Sequence, residues 1–134
     1  MYKRQTESCP GVAVINEITG ANMIEVKNVG FDTINISGYY FCNDGDYEEI
    51  TAAMVNCGDL NIPPDGLVSL DLGTGITVDP LDGEMALYID NNFPSNQSIV
   101  DYVQWGDTMH LRTNIAIGAG IWTCLLYTSP SPRD

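Results

Sequence analysis

The sequence predicts an all-β fold of the sandwich or barrel kind. No stretch sustains apolar residues at spacings of three and four, so long amphipathic helices are not expected. Short runs of β-branched and aromatic residues alternate apolar with polar, and Gly, Asn, Asp and Pro separate them. The 134 residues fit one domain, and 44% apolar against 17% charged residues supplies enough material for a core.

The strands follow in order. Val12 to Ile18 is the first, and Met23 to Val29 the second, with Ile24 and Val26 on one face and Glu25 and Lys27 on the other. The turn Gly30-Phe31-Asp32 leads into Thr33 to Phe41, where Ile34 and Ile36 share a face. Such alternation implies a sheet with one wet side. Asn43 to Tyr47 reads as a turn, and Glu48 to Val55 as a short helix or an edge strand. Leu60 to Leu72 is interrupted at Pro63-Pro64-Asp65-Gly66, because Pro fixes φ and Gly admits the positive φ of a tight reversal. Gly73 to Gly83 is a loop with Ile76 to Val78 briefly extended. Glu84 to Asp90 and Ser98 to Trp105 then pair as a hairpin across Asn91 to Gln97. Seven to nine mostly antiparallel strands with little helix are expected.

The balance of 5 Lys and Arg against 18 Asp and Glu gives a net charge of −13. Without clustered cations there is nothing to neutralise phosphates, which argues against nucleic acid and against an anionic membrane surface as partners. The most apolar run, Ile115 to Leu126, falls well short of the roughly 20 residues of a membrane-spanning helix. The ends differ in character from the middle. Residues 1–5 (MYKRQ) and 124–134 (CLLYTSPSPRD) resemble translated sequencing-adapter tails of fragmentary environmental gene models, and are set aside from fold reasoning as a tag would be. Only Asp134 of the acids falls in those tails, so residues 6–123 keep Lys27 and Arg112 against 17 acids, a formal −15.

Five blocks in order carry a resemblance. They are Ile15-Asn16-Glu17-Ile18; Ile24-Glu25-Val26 with Asn28 and Gly30; Asn35-Ile36-Ser37-Gly38-Tyr39; Ile62-Pro63-Pro64-Asp65-Gly66; and Ile99-Val100-Asp101-Tyr102-Val103-Gln104-Trp105-Gly106. Together they resemble the lamin-tail domain family over about Val12 to Gly106. The resemblance implies an immunoglobulin-like β-sandwich without a catalytic centre, of the type found in secreted or surface-attached bacterial proteins. It also gives Asn16, Glu17, Glu25, Asn28, Gly38, Tyr39, Pro64, Gly66, Asp101 and Gly106 structural parts. Tyr39 stands where the family usually has Trp. Thr51 to Asp59 departs from the pattern by carrying a Cys. The chain stops soon after Ile121-Trp122-Thr123, where a last strand is expected to be cut away, which would leave an exposed edge.

Few residues suggest chemistry. Setting the tails aside leaves Cys9, Cys42 and Cys57. Cys42 and Cys57 enclose 14 residues, a loop for which a disulfide would contribute about 3 kcal/mol, and the bridge is expected in an oxidising compartment. Two buried thiols are the plainer alternative. No Cys-x-x-Cys spacing points to zinc or to a redox pair. His110, the single histidine, lies in Thr108-Met109-His110-Leu111-Arg112 without a Gly-x-Ser-x-Gly elbow or a His-Glu-x-x-His helix, and reads as a surface or structural residue. Asp44 and Asp46, with Glu48 and Glu49, crowd one turn; Asp79 and Asp82, with Glu84, crowd another. Hard oxygen ligands on loops suit calcium, but neither turn has the spacing of a calcium loop, so solvated acidic turns are the plainer reading. Glu17 and Glu25 read as strand-end groups rather than as an acid and base pair. The pieces Gly73-Thr74-Gly75 and Gly118-Ala119-Gly120 lack the ending of a phosphate loop. Asn35-Ile36-Ser37 and Asn96-Gln97-Ser98 match the glycosylation sequon, by coincidence in a bacterial source. Tyr39, Tyr40, Tyr47, Tyr88, Tyr102 and Trp105 suit either a carbohydrate-stacking face or packing, the latter being more ordinary.

The expectation is therefore a non-catalytic module with no cofactor. It would be extracellular or on the cell surface and serve adhesion, protein or matrix contact, or spacing of domains. A glycan- or calcium-dependent binding module beside a hydrolase is the alternative.

Overall fold

A computed structural model describes residues 12–19, 22–106 and 109–122. The tail segments, Cys9, and any strand beyond residue 122 lie outside the described residues. Among those described, the strands are β1 (Ala13–Thr19), β2 (Met23–Asn28), β3 (Ile34–Asn35), β4 (Tyr40–Asn43), β5 (Asp46–Glu49), β6 (Val55–Cys57), β7 (Asn61–Ile62), β8 (Leu67–Asp71), β9 (Gly83–Tyr88) and β10 (Ile99–Trp105). A 3₁₀ turn spans Ala52–Met54, and one short helix, α1, spans Thr113–Gly118.

Alternation decides the layers. In β2, Ile24, Val26 and Asn28 are buried while Met23, Glu25 and Lys27 are half-buried, so one face of the strand is apolar. The first sheet has the order β1-β2-β8-β6 and the second β10-β9-β4-β5, all pairs being antiparallel. A two-stranded ribbon, β3-β7, stands beside them. Ile15, Ile24, Val26, Val68 and Leu70 of the first sheet meet Phe41, Met85, Leu87 and Val103 of the second in one apolar cluster. The chain is an all-β sandwich, not closed into a barrel.

Several elements differ from the sequence reading. Thr33 to Phe41 is not one strand but β3, a reversal and β4. Gly38 takes φ +85°, Ser37 N donates to Asn35 Oδ1 at 2.8 Å, and the chain passes from the small ribbon into the second sheet. The Asn43 to Tyr47 turn contracts to Asp44-Gly45. Glu48 to Val55 resolves into the end of β5, the 3₁₀ turn and the start of β6. The second sheet has no fully wet side, because every residue of β9 is buried. Its outer face is covered by α1 and by Phe93, which pack on Cys42, Ala86, Tyr88, Ile99 and Tyr102.

The expected Cys42 to Cys57 disulfide is not formed; both thiols are free. Cys42 is buried under α1 in the second sheet, whereas Cys57 is exposed on the edge strand of the first. Sequence spacing permits closure of the loop, but Cys42 points to the outer face of the second sheet, away from the first sheet that carries Cys57, so a bridge would pull one of the strands from its ladder.

Candidate functional site

The densest polar cluster lies at one end of the second sheet, on its outer face. Three segments build it. Asp44 and Gly45 have φ of +46° and +95°, the mirror-image geometry of a two-residue hairpin, for which Asp-Gly is well suited. This turn joins β4 to β5 and places Asp44 at the sheet end. The lead-in to β9 brings Asp82, and β9 itself brings Glu84. Residues 109–112 then run across both before entering α1.

Glu84 is fully buried. Its register opposite Gln104 puts it on the same face as Tyr102, whose hydroxyl donates to Glu84 Oε1 at 2.8 Å. Arg112 N donates to the same oxygen at 3.0 Å, and Asp44 N donates to Oε2 at 2.9 Å. Burial pushes the Glu84 carboxyl above its usual range; these hydrogen bonds work against the rise, and the charge of Asp44 adds to it. Tyr102 is held as a phenol by burial and by the Glu84 charge. Its oxygen also lies 2.9 Å from Thr113 Oγ1 and 3.0 Å from Gln104 Oε1, so the first residue of α1 is joined to the strand beneath it.

His110 sits beside this cluster with its side chain 9% exposed. Nδ1 faces Asp44, at 3.0 Å from Oδ1 and 2.9 Å from Oδ2, and Nε2 faces Asp82 Oδ1 at 2.9 Å. Burial alone would lower its pKa, but the hydrogen bonds to Asp82 and Asp44, with their charges, outweigh burial and raise it above 6.5. His110 N donates to Thr113 Oγ1 at 2.9 Å, and Leu111 N to Asp44 Oδ1 at 3.3 Å. Gly106 is required here on two counts: its φ is +91°, and a Cβ would run into Asp82.

Arg112 turns the other way. Its Nη2 donates to the Tyr47 hydroxyl at 2.6 Å, and the guanidinium lies 5.9 Å from the Tyr47 ring centroid and 5.8 Å from that of Phe93. Tyr47 stacks on Phe93 at 4.0 Å, and Tyr40 and Tyr88 meet Phe93 edge-on at 5.6 and 5.1 Å. Burial pushes the Cys42 thiol up, so it stays protonated at neutral pH.

The calcium candidates are brought together only in part. Asp44 and Asp82 converge, but onto the two sides of the His110 ring. Asp46 is exposed on β5, and Asp79 Oδ1 accepts Leu81 N at 2.9 Å. Among the described residues no group of three or more His, Cys, Asp or Glu is placed to hold a metal ion. The aromatic residues do not share one open face: Tyr88 and Tyr102 are buried, and Trp105 Nε1 donates to Asp79 O at 2.7 Å. Of the sequon residues, Asn35 Nδ2 donates to Asn61 Oδ1 and Asn96 Nδ2 to Gly118 O.

The residues of the five motif blocks occupy joints. Asp101 Oδ2 accepts Ile15 N at 2.7 Å, tying β10 to β1 at the bulge where Asn16 interrupts the β1-β2 register. Asn16 Nδ2 donates to Glu25 Oε1 at 2.8 Å, and Glu17 stands opposite Glu25. Asn28 is a hub. Its Nδ2 donates to Asp32 O and Ile62 O, its Oδ1 accepts Gly30 N, and its backbone pairs with Gly66 O and Asp65 N. Gly66 N closes the turn onto Pro63 O at 2.8 Å across Pro64, and a Cβ on Gly66 would crowd Pro63. Tyr39 is half-buried against the main cluster, and its carbonyl accepts Ile50 N at 2.7 Å.

Sequence reasoning missed the network around Glu84. Two signals point to Glu84 in advance: it shares an acidic turn with Asp79 and Asp82, and it opens the otherwise apolar run that begins the Glu84 to Asp90 strand. No family model matches the chain, and no curated protein or solved structure does either.

Proposed function

We propose that the chain is a lamin-tail-like, immunoglobulin-type sandwich module without a catalytic centre, carried in a larger secreted or cell-surface bacterial protein. It serves adhesion, contact with another protein, or spacing between domains. One observation carries the reading: the motif residues are the joints of the sandwich, with Asp101 binding Ile15 N and Asn28 holding the ends of β2, β7 and the Pro63 to Gly66 turn together. A residue set used to build a scaffold is what the resemblance implies. The polar cluster supports the same reading, because both ring nitrogens of His110 face carboxylates and Glu84 already accepts three hydrogen bonds. Neither group is left aimed at a substrate. The calcium- or glycan-dependent alternative draws no support from Asp44 and Asp82, which are turned onto His110.

The test is removal of residues 12–122 from the full-length host protein. Loss of attachment, or a shortened maximum dimension in solution scattering, with the neighbouring domains still folded, is expected. Unchanged attachment and dimensions would refute the proposal, as would turnover of an ester, peptide or glycan by the isolated chain that His110→Gln abolishes.

A further inference from the structure

His110 is held in a way that a neutral imidazole cannot satisfy. A neutral ring has one N–H donor and one lone-pair acceptor, and carboxylates at neutral pH only accept. With Asp44 at Nδ1 and Asp82 at Nε2, a neutral ring would set its lone pair against one carboxylate oxygen at 2.9 Å. The imidazolium satisfies both sides, and it places a positive charge between two negative ones.

What this bridge joins is the β4-β5 turn, the lead-in to β9, and the segment that enters α1. From that segment His110 N and Leu111 N also bond to Thr113 and Asp44. Behind it α1 covers Tyr88, Tyr102 and Cys42 with Ala116, Ile115 and Ala119. We propose that the Asp44, His110 and Asp82 bridge is a proton-operated latch, closed when His110 is charged, that holds residues 109–122 over the outer face of the second sheet. This goes beyond the scaffold reading and does not depend on it.

The other ionisable groups around the ring fit the assignment. Glu84, on β9, is linked to both sides of the latch through Asp44 N and Arg112 N. Arg112 is on the same segment but is committed to Tyr47 on β5 and to Phe93. Tyr102, on β10, is held as a phenol. Asp107 is near in sequence and lies outside the described residues. Because the folded pKa of His110 is raised above 6.5, the latch contributes fully below about 6.5 and is lost as pH rises through the folded value. On opening, the carboxylate left facing a lone pair withdraws. The cover over the tyrosines then loosens without any change between the sheets.

The single histidine gives one ring signal, so its titration can be followed by NMR in the unaltered chain without ambiguity. The expected result is a midpoint above 6.5. Amide exchange at Ala116, Ala119 and Ile121, corrected for the intrinsic chemical rate, should rise by up to about tenfold per pH unit on the way to that midpoint and level off beyond it, while β2 is unaffected. In His110→Gln that pH dependence should vanish. Should that variant fail to fold, Asp44→Asn supplies the second test, by moving the midpoint down towards 6.5. A midpoint at or below 6.5, exchange at α1 that stays flat through the titration, or an unmoved midpoint in Asp44→Asn would each overturn the latch.

Discussion

The layer between the sheets and the outer end of the second sheet are both buried, yet they are held by different forces. Between the sheets, Phe41, Met85, Leu87 and Val103 meet Ile15, Ile24, Val68 and Leu70, and the stabilisation is removal of apolar surface from water. Under α1 the apolar contacts are fewer, and a buried carboxylate, a tyrosine, a threonine and a charged histidine do much of the joining. Apolar contacts are tolerant and additive in area. A buried polar network depends on every partner, because an unpaired group there costs more than a pair contributes.

The largest effect is expected where the apolar layer is broken. Phe41→Ala should cost about 3–5 kcal/mol in urea unfolding and lower the stability of both regions together. Asp101→Ala comes next, at about 2–3 kcal/mol, since it strips a charged acceptor from a buried Ile15 N–H that ties β1 to β10. A result below about 0.5 kcal/mol would show that the tie is incidental. Tyr102→Phe should cost about 1–2 kcal/mol, confined to the α1 side, because it removes the hydroxyl shared by Glu84 and Thr113.

The pH dependence separates the regions further. A raised Glu84 means that the folded state holds its proton more tightly than the unfolded chain. Its contribution therefore favours folding below 4.5 and declines as pH rises through the folded value. Glu84→Gln should flatten this part of the melting-temperature profile, and an unchanged profile would assign the slope to other carboxylates. The smallest effect is expected at the exposed ion pair of Lys27 with Asp65, 3.3 Å apart, the latter 88% exposed. Lys27→Met should cost less than about 1 kcal/mol in the same urea measurement.

The contrast also explains what could be read in advance. Burial in β2 follows a period of two, so Ile24 and Val26 announce their face from a few neighbouring residues. The place of the Pro63 to Gly66 turn is legible for the same reason, its chemistry being local, but the positive φ expected of Gly66 falls on Asp65, at +69°, and Gly66 is needed because a Cβ there would crowd Pro63. Glu84 is not legible, because its partners are 18, 28 and 40 residues away in the chain, and two of them are backbone amides with no sequence signature. The six residues of α1 are too few to display a helical period, and overlooking them makes the second sheet look wet on one side. The Cys42 and Cys57 spacing misled because loop length describes the entropy of closure and says nothing of which layer each thiol enters. Asp44, Asp82 and His110 are each visible as single residues; only the hairpin turn and Gly106 bring them together.

The separateness of the two regions is open to direct measurement, through native-state amide exchange in Tyr102→Phe followed through increasing urea below the unfolding transition. The predicted result is faster exchange at Ala116 and Ile121, whose amides bond within residues 109–122, with the β2 amides still exchanging only through global unfolding. Equal acceleration at both places, or none at either, would contradict it.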